Sequence, residues 1–298
     1  MVDLDALLSI GIVVAVSLNA LTNLYLIRRL GEPTAPVASQ ALDEEQTERG
    51  EAEDEGPSKE EIQARWTQLI REIEHERGSR VITLIHRKEP WTKSGDEPEI
   101  VLEDSEVILQ EVRETPPDVP IDFILHTPGG LAFSADMMAM ALKYHKAKVT
   151  VMVPFYAFSS GTYIALAADE IVMEKYSSLA PVEPQIDEMP AASIMSILKR
   201  KPIEVIADRT ILLAESARME TENAKEFVKW LLLDKMSEEK ASQVANFLVG
   251  GVMATTTPIT LDVARAIGLN VAEGVPEKVH QLFETIEFSG QRPGKAYQ

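Results

Sequence analysis

Residues Ile121–Met173 read IDFILHTPGGLAFSADMMAMALKYHKAKVTVMVPFYAFSSGTYIALAADEIVM, and this stretch decides the fold. Three apolar runs, Ile121–His126, Val149–Val153 and Ile171–Met173, have the length and composition of buried strands. Between them, Ser134–His145 and Thr162–Ala168 carry helical patterns. Strands alternating with helices predict βαβ units and an α/β fold with a largely parallel sheet. Each strand then hands over to a helix through a loop at its carboxyl end. Gly130 and Ser159 lie 29 residues apart, across one helix and one strand. A single right-handed crossover of that kind brings both loops to the same edge of the sheet.

The first loop is His126-Thr127-Pro128-Gly129-Gly130-Leu131. A Pro-Gly-Gly corner permits positive φ and leaves backbone N–H groups unshielded by a side chain. Amides aimed at an oxygen that becomes negative in a transition state form an oxyanion hole; a Gly-Gly pair can also simply turn the chain. The second loop is Ala157-Phe158-Ser159-Ser160-Gly161-Thr162. A serine at a strand-to-helix corner exposes its hydroxyl near a helix N-terminus, and A-x-S-x-G is a relaxed nucleophile elbow. Either serine could instead cap the helix.

Working outward, Val81–His86 reads as another strand, and Ile62–Glu76 as an amphipathic helix with Trp66, Ile70 and Ile73 on one side. Glu204–Lys235 is a long helical stretch whose apolar positions Ile206, Ile211, Leu212, Leu213, Phe227, Val228 and Leu231 exceed what one face of a small sheet needs. A homo-oligomer with these helices at its interfaces is expected. Thr260–Ile267 is a late helix stopped by Gly268. Towards the N-terminus, Ala6–Ile27 holds 22 residues without a charge. At ~1.5 Å per residue such a helix spans a ~30 Å hydrocarbon core. Arg28 and Arg29 follow it, which places the N-terminus outside and the remaining chain in the cytoplasm. From Gly31 to Glu61 there are eleven Asp or Glu and two basic residues, the composition of a solvated tether. Three parts result: an anchor over 1–30, a disordered acidic linker over 31–61 and a globular domain over 62–298.

Composition removes other classes. The 298 residues carry a formal charge of −19, against the clustered Lys and Arg that nucleic acid requires. With no cysteine there is no disulfide, thiolate metal site or cysteine nucleophile. No Walker motif, dinucleotide fingerprint or zinc-ligand spacing is present, so neither a cofactor nor a metal is expected.

The stretch Ile124–Met173 resembles the core of Clp-class serine proteases of the Clp/crotonase fold, relatives of signal peptide peptidase A and the stomatin-operon-partner proteases. It is most similar to the serine dehydrogenase proteinase family, and that similarity runs from Gly78 (GSRVITLIHR) through Ala180–Ile186 (APVEPQI) to Thr257–Leu269 (TPITLDVARAIGL). The resemblance implies stacked βαβ units and a serine peptidase acting on peptide or protein substrates, which the Ala6–Ile27 run would anchor in a membrane. It places Ser159 at the nucleophile position, with the amides of Gly130, Leu131 and Ser160 in the oxyanion hole.

A serine hydroxyl needs a base. The Clp-type histidine that follows the serine has no counterpart here, since His280 is the only histidine after His145. His126 on the first loop is one candidate. Lys199 and Lys201, 40 and 42 residues after Ser159, suit a Ser–Lys dyad. Where the related family is expected to carry a lysine on the long helix, this chain has Arg218 and Met219. Arginine stays protonated and methionine has no titratable proton. Two other functions therefore stand beside the peptidase: an inactive relative acting as a membrane-tethered scaffold, and an acyl-CoA enzyme of the crotonase type.

Overall fold

The computed structural model describes residues 59–87, 98–249, 251 and 257–285. Two units divide between Gln63 and Ala64, and the second carries the fold. Helix α1 (Lys59–Arg77) leads into β1 (Arg80–Ile85), α2 (Leu102–Glu114), β2 (Ile121–His126), α3 (Ala132–Tyr144) and β3 (Val149–Val153). Next come β4 (Tyr156–Ala157), α4 (Ser160–Ala167), β5 (Glu170–Met173), β6 (Ser178–Leu179), β7 (Gln185–Ile186), β8 (Met189–Pro190) and α5 (Ala191–Arg200). A 3₁₀ turn (Ile203–Val205) precedes α6 (Asp208–Leu232), α7 (Glu238–Val249), β9 (Ile259–Thr260), α8 (Leu261–Ala266), β10 (Val271–Glu273) and α9 (Glu277–Thr285).

The main sheet has five strands in the order β1-β2-β3-β5-β10, every neighbouring pair parallel. The α/β class and parallel sheet expected from the βαβ pattern are present. Every residue of β2 and β3 is buried, as strands covered on both faces must be, which is why they read as predominantly apolar runs. Asp122 is the charged exception in β2. It is bonded to Arg77 and to the Ser79 hydroxyl, which lies 2.6 Å away. On one face Leu69 and Ile73 of α1 and Val279, Leu282 and Phe283 of α9 pack on Val81, Ile124 and Met152. A small second sheet, β4-β6-β9, extends the chain beyond the end of β3.

Three differences from the sequence reading have physical reasons. Helix α2 was not expected, because LEDSEVILQEVRE is too acidic to stand out, yet its Ser105, Ile108 and Val112 form a buried stripe. Helix α4 begins at Ser160 rather than Thr162, with Ser159 as its N-cap. The expected helix over Glu204–Lys235 is a 3₁₀ turn and a separate α6, set apart by extended backbone at Ile206 and Ala207. Among the described residues no helix is long and apolar enough to cross a membrane, and Ala6–Ile27 lies outside them.

Candidate active site

The two loops lie side by side beyond the carboxyl ends of β2 and β3. Thr127 N–H donates to the Tyr156 carbonyl at 3.2 Å, and Phe158 N–H donates to the Thr127 carbonyl at 3.0 Å. A third segment straps the first loop from outside: Ile100 N–H donates to Gly129 O and Leu131 N–H donates to Ile100 O, both at 2.8 Å. Gly130 has φ 141°, and a Cβ there would lie 2.4 Å from the backbone N and O of Ile100. Gly129 has φ 109°, and its Cβ would sit 3.0 Å from Ser159 Cβ and from Phe158 O. Side chains are therefore excluded by the strap on one side and by the serine corner on the other.

Ser159 stands at φ 51° and ψ −121°. That is the conformation of the first central residue of a type II′ turn, normally filled by glycine. Its hydroxyl makes no capping bond to α4, and it is half-buried. Ser160 is different: it is buried, and its Oγ donates to Gly130 O at 3.2 Å. The helix-cap reading therefore fits neither hydroxyl.

Four amides border this corner. Gly129 N–H donates to Thr127 Oγ1 at 3.1 Å, and Leu131 N–H is engaged by Ile100. Leu131 is thus a correction to the expected oxyanion hole, because the Ile100–Gly130 bridge takes its N–H. Among the described residues the N–H groups of Gly130 and Ser160 have no acceptor. For Ser160 this follows from its place at the first position of α4, where a helical N–H has no partner. For Gly130, the trans peptide turns its N–H away from the Gly129 carbonyl that Ile100 holds.

A family model described as a ClpP-like SDH-type serine proteinase matches residues 56–296. This chain belongs to that family. Two uncharacterised proteins of Methanocaldococcus jannaschii are similar to this chain. One is 47% identical over 217 residues, covering 72% of this chain and 74% of the relative. The other is 44% identical over 218 residues, covering 72% and 76%. A solved structure of a membrane-bound stomatin-specific protease, a serine-to-alanine mutant, matches with TM-score 0.40 and 17% identity over 63% of this chain and 79% of that one. That likeness is too distant to transfer any residue.

The other candidate residues are dispersed. His126 is buried with its ring against Tyr156, Phe283 and Phe155, at 4.1, 5.2 and 5.7 Å between centroids. Burial, with Arg87 and His86 nearby, pushes its pKa down to about 4, so it is neutral near pH 7. Lys199 and Lys201 are exposed around the C-terminal end of α5. Arg218 is exposed and pairs with Glu215 at 2.5 Å. His280, on α9, lies 3.3 Å from Glu174. Lys235 has its pKa lowered to about 8 by burial and by Lys143, but its Nζ donates to Leu166 O at 2.6 Å, in the last turn of α4 away from Ser159. Asp136 of α3 has a buried Oδ1 with no partner, and burial and Glu220 of α6 push its carboxyl well above the ordinary range. Among the described residues none hydrogen-bonds the Ser159 hydroxyl, and none forms a metal-holding cluster.

The sequence reading gives no functional role to three residues beside the first loop: Thr127, Asp104, and His86, which reads there as a surface or satisfied core histidine. Thr127 Oγ1 meets His86 Nδ1 at 2.7 Å, and His86 Nε2 lies 3.3 Å from Asp104 Oδ2. The only local signal was a hydroxyl placed directly before Pro-Gly-Gly.

Proposed function

We propose that this chain is a membrane-tethered serine peptidase that hydrolyses peptide bonds through an acyl-enzyme on Ser159. The observation that carries the reading is the backbone of Ser159, held in a glycine-like conformation with an uncommitted hydroxyl beside the Gly129–Gly130 loop. Ser159 Oγ would attack the scissile carbonyl carbon while its proton passes to a base. The carbonyl electron pair moves onto oxygen, which the Gly130 and Ser160 N–H groups receive. Collapse re-forms the carbonyl and expels the amine, which takes up the proton. Water then attacks the ester and releases the carboxylic acid and the free serine. Each amide donor contributes about 10²- to 10³-fold to such a step. No cofactor enters this sequence.

The Ala6–Ile27 run supports tethering, with the peptidase domain on the cytoplasmic side and peptide or protein segments near the membrane as substrates. A serine-directed fluorophosphonate tests the reaction: it should label the wild-type chain and leave Ser159→Ala unlabelled. Equal labelling of both would overturn the assignment. The scaffold reading is favoured by one observation, that no described base touches the Ser159 hydroxyl. It requires that the wild type not be labelled at all.

A further inference from the structure

We infer that Asp104, His86 and Thr127 are positioning residues that clamp the Gly129–Gly130 peptide so that its N–H, rather than its carbonyl, faces the oxyanion. This rests on the reading of Ser159 as nucleophile, because it specifies how the amide beside it is aimed.

The three side chains form one hydrogen-bonded chain with a single consistent direction. The Asp104 carboxyl lies below its ordinary pKa range: burial opposes ionisation, but His86 and the Val101 N–H outweigh it. An ionised Oδ2 at 3.3 Å favours the His86 tautomer that carries its proton on Nε2. Nδ1 is then an acceptor, and the Thr127 hydroxyl donates to it at 2.7 Å in preference to the Gly129 carbonyl, which lies 3.4 Å from the same oxygen. With its proton turned to His86, Thr127 Oγ1 presents lone pairs to the Gly129 N–H at 3.1 Å. Thr127 is fully buried, so this hydroxyl cannot reach a substrate, and its role is to hold the loop.

Asp104 also controls the other side of Gly129, the carbonyl of the Gly129–Gly130 peptide. Its Oδ2 accepts the Val101 N–H at 2.9 Å, which fixes the segment that begins at Ile100. Ile100 in turn holds Gly129 O and Leu131 N–H. One carboxylate thus anchors Gly129 through its N–H by way of Thr127 and through its carbonyl by way of Ile100. A peptide between two glycines lacks the Cβ contacts that resist rotation. Released from the clamp it can flip, which would remove a donor from the hole and put a carbonyl dipole there instead.

The test uses the full chain in detergent and four variants, Thr127→Val, Thr127→Ser, His86→Gln and Asp104→Asn. Fluorophosphonate inactivation gives a binding constant and a maximal rate, and hydrogen exchange reports the Gly129 amide. Thr127→Val and Asp104→Asn should lower the maximal rate about 100-fold with binding nearly unchanged, the signature of a misaimed transition-state donor. His86→Gln should fall in the same direction. Thr127→Ser keeps the hydroxyl and should stay within roughly threefold of wild type. Gly129 exchange should accelerate in Thr127→Val and remain slow in Thr127→Ser. The clamp is overturned if Thr127→Val keeps wild-type labelling and exchange, or if Thr127→Ser is as impaired as Thr127→Val, which would show that retaining the hydroxyl does not preserve the loop. If no chain is labelled but Gly129 exchange accelerates only in the clamp variants, the clamp stands and the peptidase reading falls.

Discussion

Ser159 and Ser160 are adjacent, yet each is fixed by a different constraint. Ser159 carries backbone strain of about 1–3 kcal/mol, which persists because Gly129 on one side and α4 on the other determine its position. Ser159→Gly should relieve that strain, less the extra entropy of glycine in the unfolded chain, for a net gain near 1 kcal/mol. Ser159→Ala keeps the strained φ and should leave stability close to wild type. Both should abolish labelling. Urea unfolding measures the difference, and a Ser159→Gly chain less stable than Ser159→Ala would contradict the strained-corner account. Ser160→Ala leaves the Gly130 carbonyl without its donor, costs about 1 kcal/mol, and should still be labelled. The A-x-S-x-G spacing revealed the corner in the sequence. What separates the two hydroxyls is the Gly130 carbonyl 30 residues away, a contact that no local pattern displays.

Alternation along β2 explains why the histidine next to the Pro-Gly-Gly loop is not a base. Ile124 packs in the layer of α1 and α9, and His126, two residues on, places its ring against Phe283 of that same layer. The folded pKa of about 4 lies below the ordinary value of 6.5. Between those values the unfolded chain binds more protons, so stability is fully present above pH 6.5 and declines as pH falls through 4. The loss from this group approaches about 3 kcal/mol, an upper bound for so buried a ring. Thermal unfolding of His126→Phe should show a shallower decline over that window than wild type. An unchanged slope would mean that His126 is not the buried neutral group described. At this scale the parallel strands were legible because burial on both faces demands predominantly apolar runs. Helix α2 was not, since its acidic surface hides a three-residue buried stripe, and with it went Asp104 and the strap at Ile100.

Assembly and chemistry meet at the level of the whole chain. Ile203, Val205 and Leu212 are 59%, 69% and 69% exposed around the start of α6, where a solvated helix would carry polar side chains. A second copy is expected to cover this patch; of the apolar positions the sequence offered for an interface only Leu212 is exposed, while Ile206, Phe227, Val228 and Leu231 are buried within the chain. Val205→Glu with Leu212→Glu should reduce the size of the particle in light scattering while shifting stability by no more than about 0.5 kcal/mol, since neither side chain is buried. A wild-type chain already monomeric at micromolar concentration would contradict this. The excess of leucine, valine and isoleucine in the sequence did not locate this patch, because packing within the chain buries most of them and the break between the 3₁₀ turn and α6 decides which face outward. The account depends most on where a covalent acyl-type adduct forms. Mass-spectrometric mapping of the fluorophosphonate-treated full chain should place one phosphonyl group on Ser159 and none on Ser160 or Thr127. An adduct on any residue other than Ser159, or no adduct on a folded chain, would contradict it.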